Sequence, residues 1–166
     1  VTMSTKYKGK ASNLIAEANG DAQKLLELIV QNFPSIQDIS QYKEKEIYFY
    51  KRAQLLVADI YQIFYGLGFG ALKNIDKITA CADYKLPQIL RKLGILEYAT
   101  SLVEKIDSKV EIPSNSLEEI EIRANTVWAV EFIKEEVKKR SPNIMSFEVN
   151  DHLWLATQEK FEGDRP

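Results

Sequence analysis

IYFYKRAQLLVADIYQIFY, residues 47–65, is the longest apolar run in the chain. At about 100° per residue, Phe49, Ala53, Leu56, Val57, Ile60 and Phe64 fall on one broad helical arc. Lys51, Gln54, Asp59 and Gln62 take the remaining sector, but Ile47, Leu55 and Ala58 are mixed among them, so no face is fully polar. A helix that is apolar nearly all round belongs at the centre of its domain. The charges of Lys51, Arg52 and Asp59 then require partners or a wet cleft, because an unpaired buried charge is expensive. The same three charges argue against a membrane span, at about 3 kcal/mol for each one near a helix centre. What Lys51 faces is the question this run poses.

Working outward, the run is expected to begin its helix near Lys43 and to end at Tyr65-Gly66-Leu67-Gly68-Phe69-Gly70. The three glycines invite a nucleotide-loop reading, but that fingerprint needs a preceding strand and a helix opening within it. A helix stop followed by a tight loop accounts for them better. Upstream, Leu14, Ile15, Ala18, Ala22, Leu25, Leu26, Ile29 and Val30 recur at helical steps between Ala11 and Phe33. Asn19-Gly20-Asp21 interrupts them: either Asp21 caps a new helix, or Gly20 weakens a continuous one. Residues 1–10 read as frayed and residues 34–42 as a connector. Downstream, residues 75–82 allow one or two helical turns. Pro87 disfavours helix at Leu86 and suits the first turn of a helix over Pro87–Leu93. Another helix follows over Glu97–Ile106. Ser116 and Glu119 have capping-box spacing ahead of a long helix from Leu117 to about Lys139. A last helix covers Phe147–Gln158, and residues 159–166 read as flexible. No strand is evident. The expected class is all-α, with 1–166 a single helical domain or the C-terminal portion of one.

Composition excludes several functions. Twenty-two basic and 24 acidic residues give a net charge of −2. That balance is against a general nucleic-acid or anionic-membrane binder, whose affinity comes from excess Lys and Arg. It leaves room for one small phosphorylated ligand. Cys81 and His152 are the only residues of their types. They make no disulfide and offer neither a zinc set nor a Cys-His pair. A chain without disulfides is expected in a reducing compartment, and no signal core is visible at the N-terminus; the expected location is the cytoplasm. The start at Val1 and the stop at Glu162-Gly163-Asp164-Arg165-Pro166 suggest a fragment.

Three short clusters concentrate chemistry: Phe49 to Gln54, Ala82 to Gln88, and Glu119 to Arg123 with Trp128 and Glu131 beyond. Each has a structural explanation. The Lys51 stem can pack while its ammonium reaches solvent. Asp83, just before a Pro-containing helix start, suits a cap or turn. Arg123, on one helix face with Ile120 and Val127, suits a buried ion pair.

FYKRAQLLVADIY, then ADYKLPQILRKLGIL, then EIEIRANTVWAVE together resemble the queuosine 5′-phosphate N-glycosylase/hydrolase family, the queuosine salvage proteins, in order and spacing. The similarity centres on Phe33 to Glu131. It departs from the family pattern at Cys81 and Lys85, where the family has Phe and Arg, and in length, because family members are considerably longer. The resemblance implies an all-α fold similar to helix-hairpin-helix DNA glycosylases. It implies hydrolysis of the N-glycosidic bond of queuosine 5′-monophosphate to queuine and ribose 5-phosphate, in salvage for transfer-RNA modification. No metal or redox cofactor is implied, and neither a stable nucleic-acid partner nor a membrane is expected.

Carried onto this sequence, the resemblance points to Asp83 as the carboxylate beside the anomeric carbon. There it would stabilise an oxocarbenium-like sugar and orient water. Lys51 would be its partner, holding the carboxylate charge, water or substrate. Gln88 and Arg123 are candidates for substrate contact or for orienting Asp83. Lys85, Arg52 and Arg123 are candidates for a phosphate clamp, and Asp59 or Asp151 suits the secondary ammonium of queuine. The competing expectations are a truncated or inactive helical binding module with a glycosylase-like shell and, more distantly, a DNA repair glycosylase, which would need a basic phosphate-tracking face.

Overall fold

A computed structural model of the chain describes residues 2–158; the 159–166 tail expected to be flexible lies outside the described residues. The fold is mainly helical. Among the described residues the helices are α1 (Thr2–Thr5), α2 (Ala11–Glu17), α3 (Ala22–Asn32), α4 (Lys51–Ile63), α5 (Lys85–Lys92), α6 (Thr100–Asp107), α7 (Leu117–Lys138) and α8 (Ser146–Ala156). One two-stranded sheet, β1 (Ile39–Tyr42) with β2 (Lys45–Tyr48), corrects the all-α expectation. The described residues form two compact units, one of residues 2–39 and 48–81, the other of residues 40–47 and 82–158.

In the first unit, Asp21 starts a new helix. Its Oδ1 accepts from the amide of Lys24 at 2.9 Å, and its Oδ2 accepts from Asn74 Nδ2 at 2.6 Å. Asn19 and Gly20, both at positive φ, turn the chain between α2 and α3. These bonds hold the Asp21 carboxyl below its ordinary range, the Lys24 amide foremost. A depressed carboxylate stabilises the fold above its unfolded value of 3.8 and loses that effect as pH falls through its lower folded value. Asp21→Ala should therefore cost about 1–2 kcal/mol in urea unfolding at neutral pH, with the difference from wild type vanishing at strongly acid pH. An undiminished difference there would refute the assignment.

Helix α3 packs against α4, burying Leu25, Ile29, Ala53 and Val57. The central helix is shorter than expected: it starts at Lys51, because Tyr50 adopts the left-handed region at φ 49°. Its first turn is capped from a distance. Asp38 Oδ2 accepts from the Lys51 amide at 3.1 Å, and the Asp38 carbonyl accepts from the amides of Phe49 and Tyr50 at 3.0 and 3.2 Å. Residues 43–48, expected to be helical, instead complete the hairpin. The expected frayed segment 1–10 contains helix α1 and the buried Tyr7.

After α4, the glycine-rich loop turns on its own hydrogen bonds. The amides of Gly66, Leu67, Gly70 and Ala71 donate to the carbonyls of Tyr61, Phe64, Leu67 and Gly68. A phosphate cradle needs converging amides aimed outward; here they are spent inside the turn. A Cβ on Gly70 would lie 2.7 Å from Phe64 Cβ and 2.9 Å from the Ile60 carbonyl oxygen, so the return of the chain past α4 admits only glycine there. The expected turns over residues 75–82 shrink to a 3-10 turn at Ile75–Lys77. Ile78, Ala80 and Cys81 then run on as a buried non-helical segment.

In the second unit, α5, α7 and α8 pack on one another. Ile89, Leu90 and Ala129 form a core cluster flanked by Leu96, Ile133, Leu153 and Ala156. Pro87 sits in the third position of α5 rather than the first. This costs nothing in hydrogen bonding, because the first four amides of a helix have no partner within it. As expected, Ser116 caps α7, its Oγ accepting from the Glu119 amide at 3.2 Å. The hairpin tip joins this unit through Ser40 Oγ, which donates to Asn115 Oδ1 at 2.7 Å, and Tyr42 Oη, which donates to Glu121 Oε1 at 2.5 Å. The Glu121 bond raises the Tyr42 phenol above its ordinary range.

Candidate active site

Four of the six candidate residues fall in the second unit, around the start of α5. Asp83 is half-buried, and its Oδ1 accepts from the amides of Lys85 at 2.8 Å and Leu86 at 3.1 Å. The carboxylate thus caps the helix, as its structural explanation requires. These bonds hold the carboxylate against the start of α5. Lys85 follows as the first residue of α5, half-buried, its ammonium 5.6 Å from the Tyr84 ring centroid. Gln88 is exposed on the same helix.

Arg123 lies on α7 with its side chain only 12% exposed. Its Nε donates to the carbonyl of Ala82 at 3.2 Å, and its Nη1 lies 3.5 Å from Glu119 Oε1. The structure therefore brings Arg123 against the peptide that precedes Asp83. The ion pair expected for Arg123 is present, with Glu119 as its partner.

Lys51 and Arg52 open α4 in the first unit, Lys51 half-buried and Arg52 exposed. The amide of Lys51 is anchored on Asp38. Gln54, one turn on, falls on the polar sector of the helical wheel. It is buried: its Nε2 donates to the Phe49 carbonyl at 2.8 Å, and its Oε1 accepts from the amide and hydroxyl of Thr79 at 2.7 and 3.0 Å. One side chain thus pins both the approach to α4 and the segment after Ile78. Gln54→Ala would leave the Phe49 carbonyl and the Thr79 amide without this partner, so a loss of about 2–4 kcal/mol is expected in denaturant unfolding. A loss below about 0.5 kcal/mol would show that the clamp carries no stability.

The remaining sequence candidates have other places. Trp128, exposed on α7, lines an apolar groove of about 410 Å³ with Ile95, Leu96, Phe132 and Ile133, and the groove contains none of the six candidates. Glu131 accepts from Lys134 and from Ser146 at the α7–α8 contact. Asp59 and Asp151 are half-buried. Among the described residues, no group of three or more His, Cys, Asp or Glu is placed to hold a metal ion, and no helix is long and apolar enough to cross a membrane.

The motif carrying Asp83 and the motif carrying Arg123 thus meet in one turn. The profile of the queuosine salvage proteins matches residues 1–165. The chain belongs to the queuosine salvage protein family. Its relatives include the queuosine 5′-phosphate N-glycosylase/hydrolase of Sphaerobacter thermophilus, 38% identical over 164 residues that make up 99% of this chain and 51% of the relative. The proteins of the same name from Bos taurus and Mus musculus are each 40% identical, covering 90% and 95% of this chain and 46% and 48% of their own lengths. The chain thus spans about half the length of the curated relatives it matches.

Proposed function

We propose that the protein hydrolyses the N-glycosidic bond of queuosine 5′-monophosphate, releasing queuine and ribose 5-phosphate for transfer-RNA modification. The observation that carries this reading is the family match over nearly the whole chain, with a carboxylate held rigidly at the family motif. Departure of the base leaves an oxocarbenium-like sugar. A fixed anion beside the anomeric carbon stabilises that charge without reorganising during the reaction. Asp83 fits this role: the Lys85 and Leu86 amides hold its Oδ1, which fixes the carboxylate in place for the sugar or the attacking water. Lys51 is the proposed partner of Asp83. Lys85, Arg52 and Arg123 are the proposed phosphate contacts. Arg123, already engaged with Ala82 and Glu119, suits orientation of Asp83 better than a clamp. Exposed Gln88 contributes only if substrate extends along α5.

The base poses its own requirement. Queuine is a 7-deazaguanine, so protonation at N7 is closed to it, and the leaving group must be stabilised through other edges of the ring. The enzyme would work in the cytoplasm, and its helical domain would belong to the class of helix-hairpin-helix DNA glycosylases, with residues 1–166 as a single helical domain or the C-terminal portion of one. The mainly helical fold supports that class. A second reading, a binding module without turnover, is favoured by the presence of Cys81 and Lys85 in the Asp83 motif. Incubating the full-length protein with queuosine 5′-monophosphate separates the two. Equimolar queuine and ribose 5-phosphate are expected; binding with no release would establish the module.

A further inference from the structure

We infer that Glu119 is a positioning residue for Asp83, acting through Arg123 on the carbonyl of Ala82. The inference rests on the N-glycosidase reading and extends it to a residue that makes no contact with the reacting atoms. The Ala82 carbonyl and the Asp83 amide belong to one planar unit. Holding the carbonyl oxygen therefore fixes the plane from which the Asp83 Cα emerges. Arg123 holds it with Nε at 3.2 Å. A guanidinium is a rigid planar fork, so a second anchor sets its tilt. Glu119 Oε1, 3.5 Å from Nη1, is that anchor, and both side chains are largely screened from water.

Glu119 is itself fixed. Its Oε2 accepts from the Asn115 amide at 3.2 Å, and its own amide is capped by Ser116. Asn115, at φ 63°, is gripped in turn by Ser40 Oγ. The line Ser40–Asn115–Glu119–Arg123–Ala82 thus runs from the hairpin to the Asp83 turn; its two ends are buried, while Asn115 is exposed. At the far side of that turn, the Lys85 and Leu86 amides hold Oδ1. Asp83 is thus fixed through its backbone by α7 and through its side chain by α5.

Glu119→Gln in the full-length protein tests this. Glutamine keeps the length and an acceptor for the Asn115 amide but removes the charge facing Arg123. Displacing a reacting group by about 1 Å costs on the order of 100-fold. The expected result is a fall in kcat of about 10- to 100-fold with KM changed by less than about threefold. Amide exchange at Lys85 and Leu86 should quicken about tenfold while α8 is unaffected. Arg123→Lys should behave alike, and the double variant should be no slower than the slower single one, because the two residues act in series. Wild-type kcat together with unchanged exchange at Lys85 and Leu86 would overturn the inference, as would independent, multiplying losses. If the wild-type protein releases no queuine, the N-glycosidase reading fails, and the exchange measurement alone decides whether Glu119 holds the turn.

Discussion

Asp83→Asn is expected to slow queuine release by about 100- to 10,000-fold, the range for loss of a positioned charged or proton-transferring group. The asparagine carbonyl oxygen can still accept from the Lys85 and Leu86 amides, so the cap and the fold should survive. Asp83→Ala removes both functions: it should be at least as slow and also less stable by about 1 kcal/mol, the usual cost of losing a helix cap. Initial rates with queuosine 5′-monophosphate and urea unfolding on both variants separate the chemical role from the structural one. A fast Asp83→Asn enzyme would leave Asp83 as a cap and nothing more. A slow one with unchanged unfolding would show that one carboxylate serves both the helix and the chemistry.

Leu90→Ala should produce the largest loss of stability, about 2–5 kcal/mol. Leu90 is fully buried in the cluster with Ile89 and Ala129, against Leu96, Ile133, Leu153 and Ala156. Truncation leaves a cavity among three helices that are packed on one another and cannot all close on it. Against a typical domain stability of about 5–15 kcal/mol, the variant should populate unfolded or partly unfolded forms well below the wild-type urea midpoint. Ile63→Ala, at an exposed position of α4, should stay within about 0.5 kcal/mol of wild type. Equal midpoints for the two variants would mean that the α5–α7–α8 cluster is not a principal core of its unit.

Much of this was legible in sequence where the determinant is local. The Ser116 cap and the stop at the glycines depend on residues within four positions of each other, as does the Asp21 cap, one of the two readings that the sequence left open. The hairpin was not legible, because its alternation is inverted: Ser40 is buried while Ile39 and Tyr48 are exposed. A period-two search for apolar residues therefore meets the wrong phase. The start of α4 was misplaced for another reason. Asp38, thirteen residues upstream, supplies its cap, and Tyr50 takes a conformation that its residue type does not advertise. Gln54 falls with the polar sector of the helical wheel, so nothing local marks it as buried, and its partner Thr79 is distant in sequence. At the candidate site, the residue types of the Asp83 and Arg123 motifs were visible. The bond from Arg123 to a backbone carbonyl was not, since every residue type carries that carbonyl.

The two compact units do not correspond to two consecutive pieces of chain. Residues 40–47 belong with residues 82–158, while the segments on either side of them belong to the first unit. A gene fragment stopped after Cys81 would retain the first unit in full but also carry the hairpin tip away from Asn115 and Glu121, which receive Ser40 and Tyr42. The complementary fragment would begin at Ala82 with the α7 end of that contact bare. Dissection at the obvious boundary should therefore yield two poorly behaved halves. A clean excision of the second unit requires a permuted chain, in which the hairpin tip is rejoined to it through a new linker.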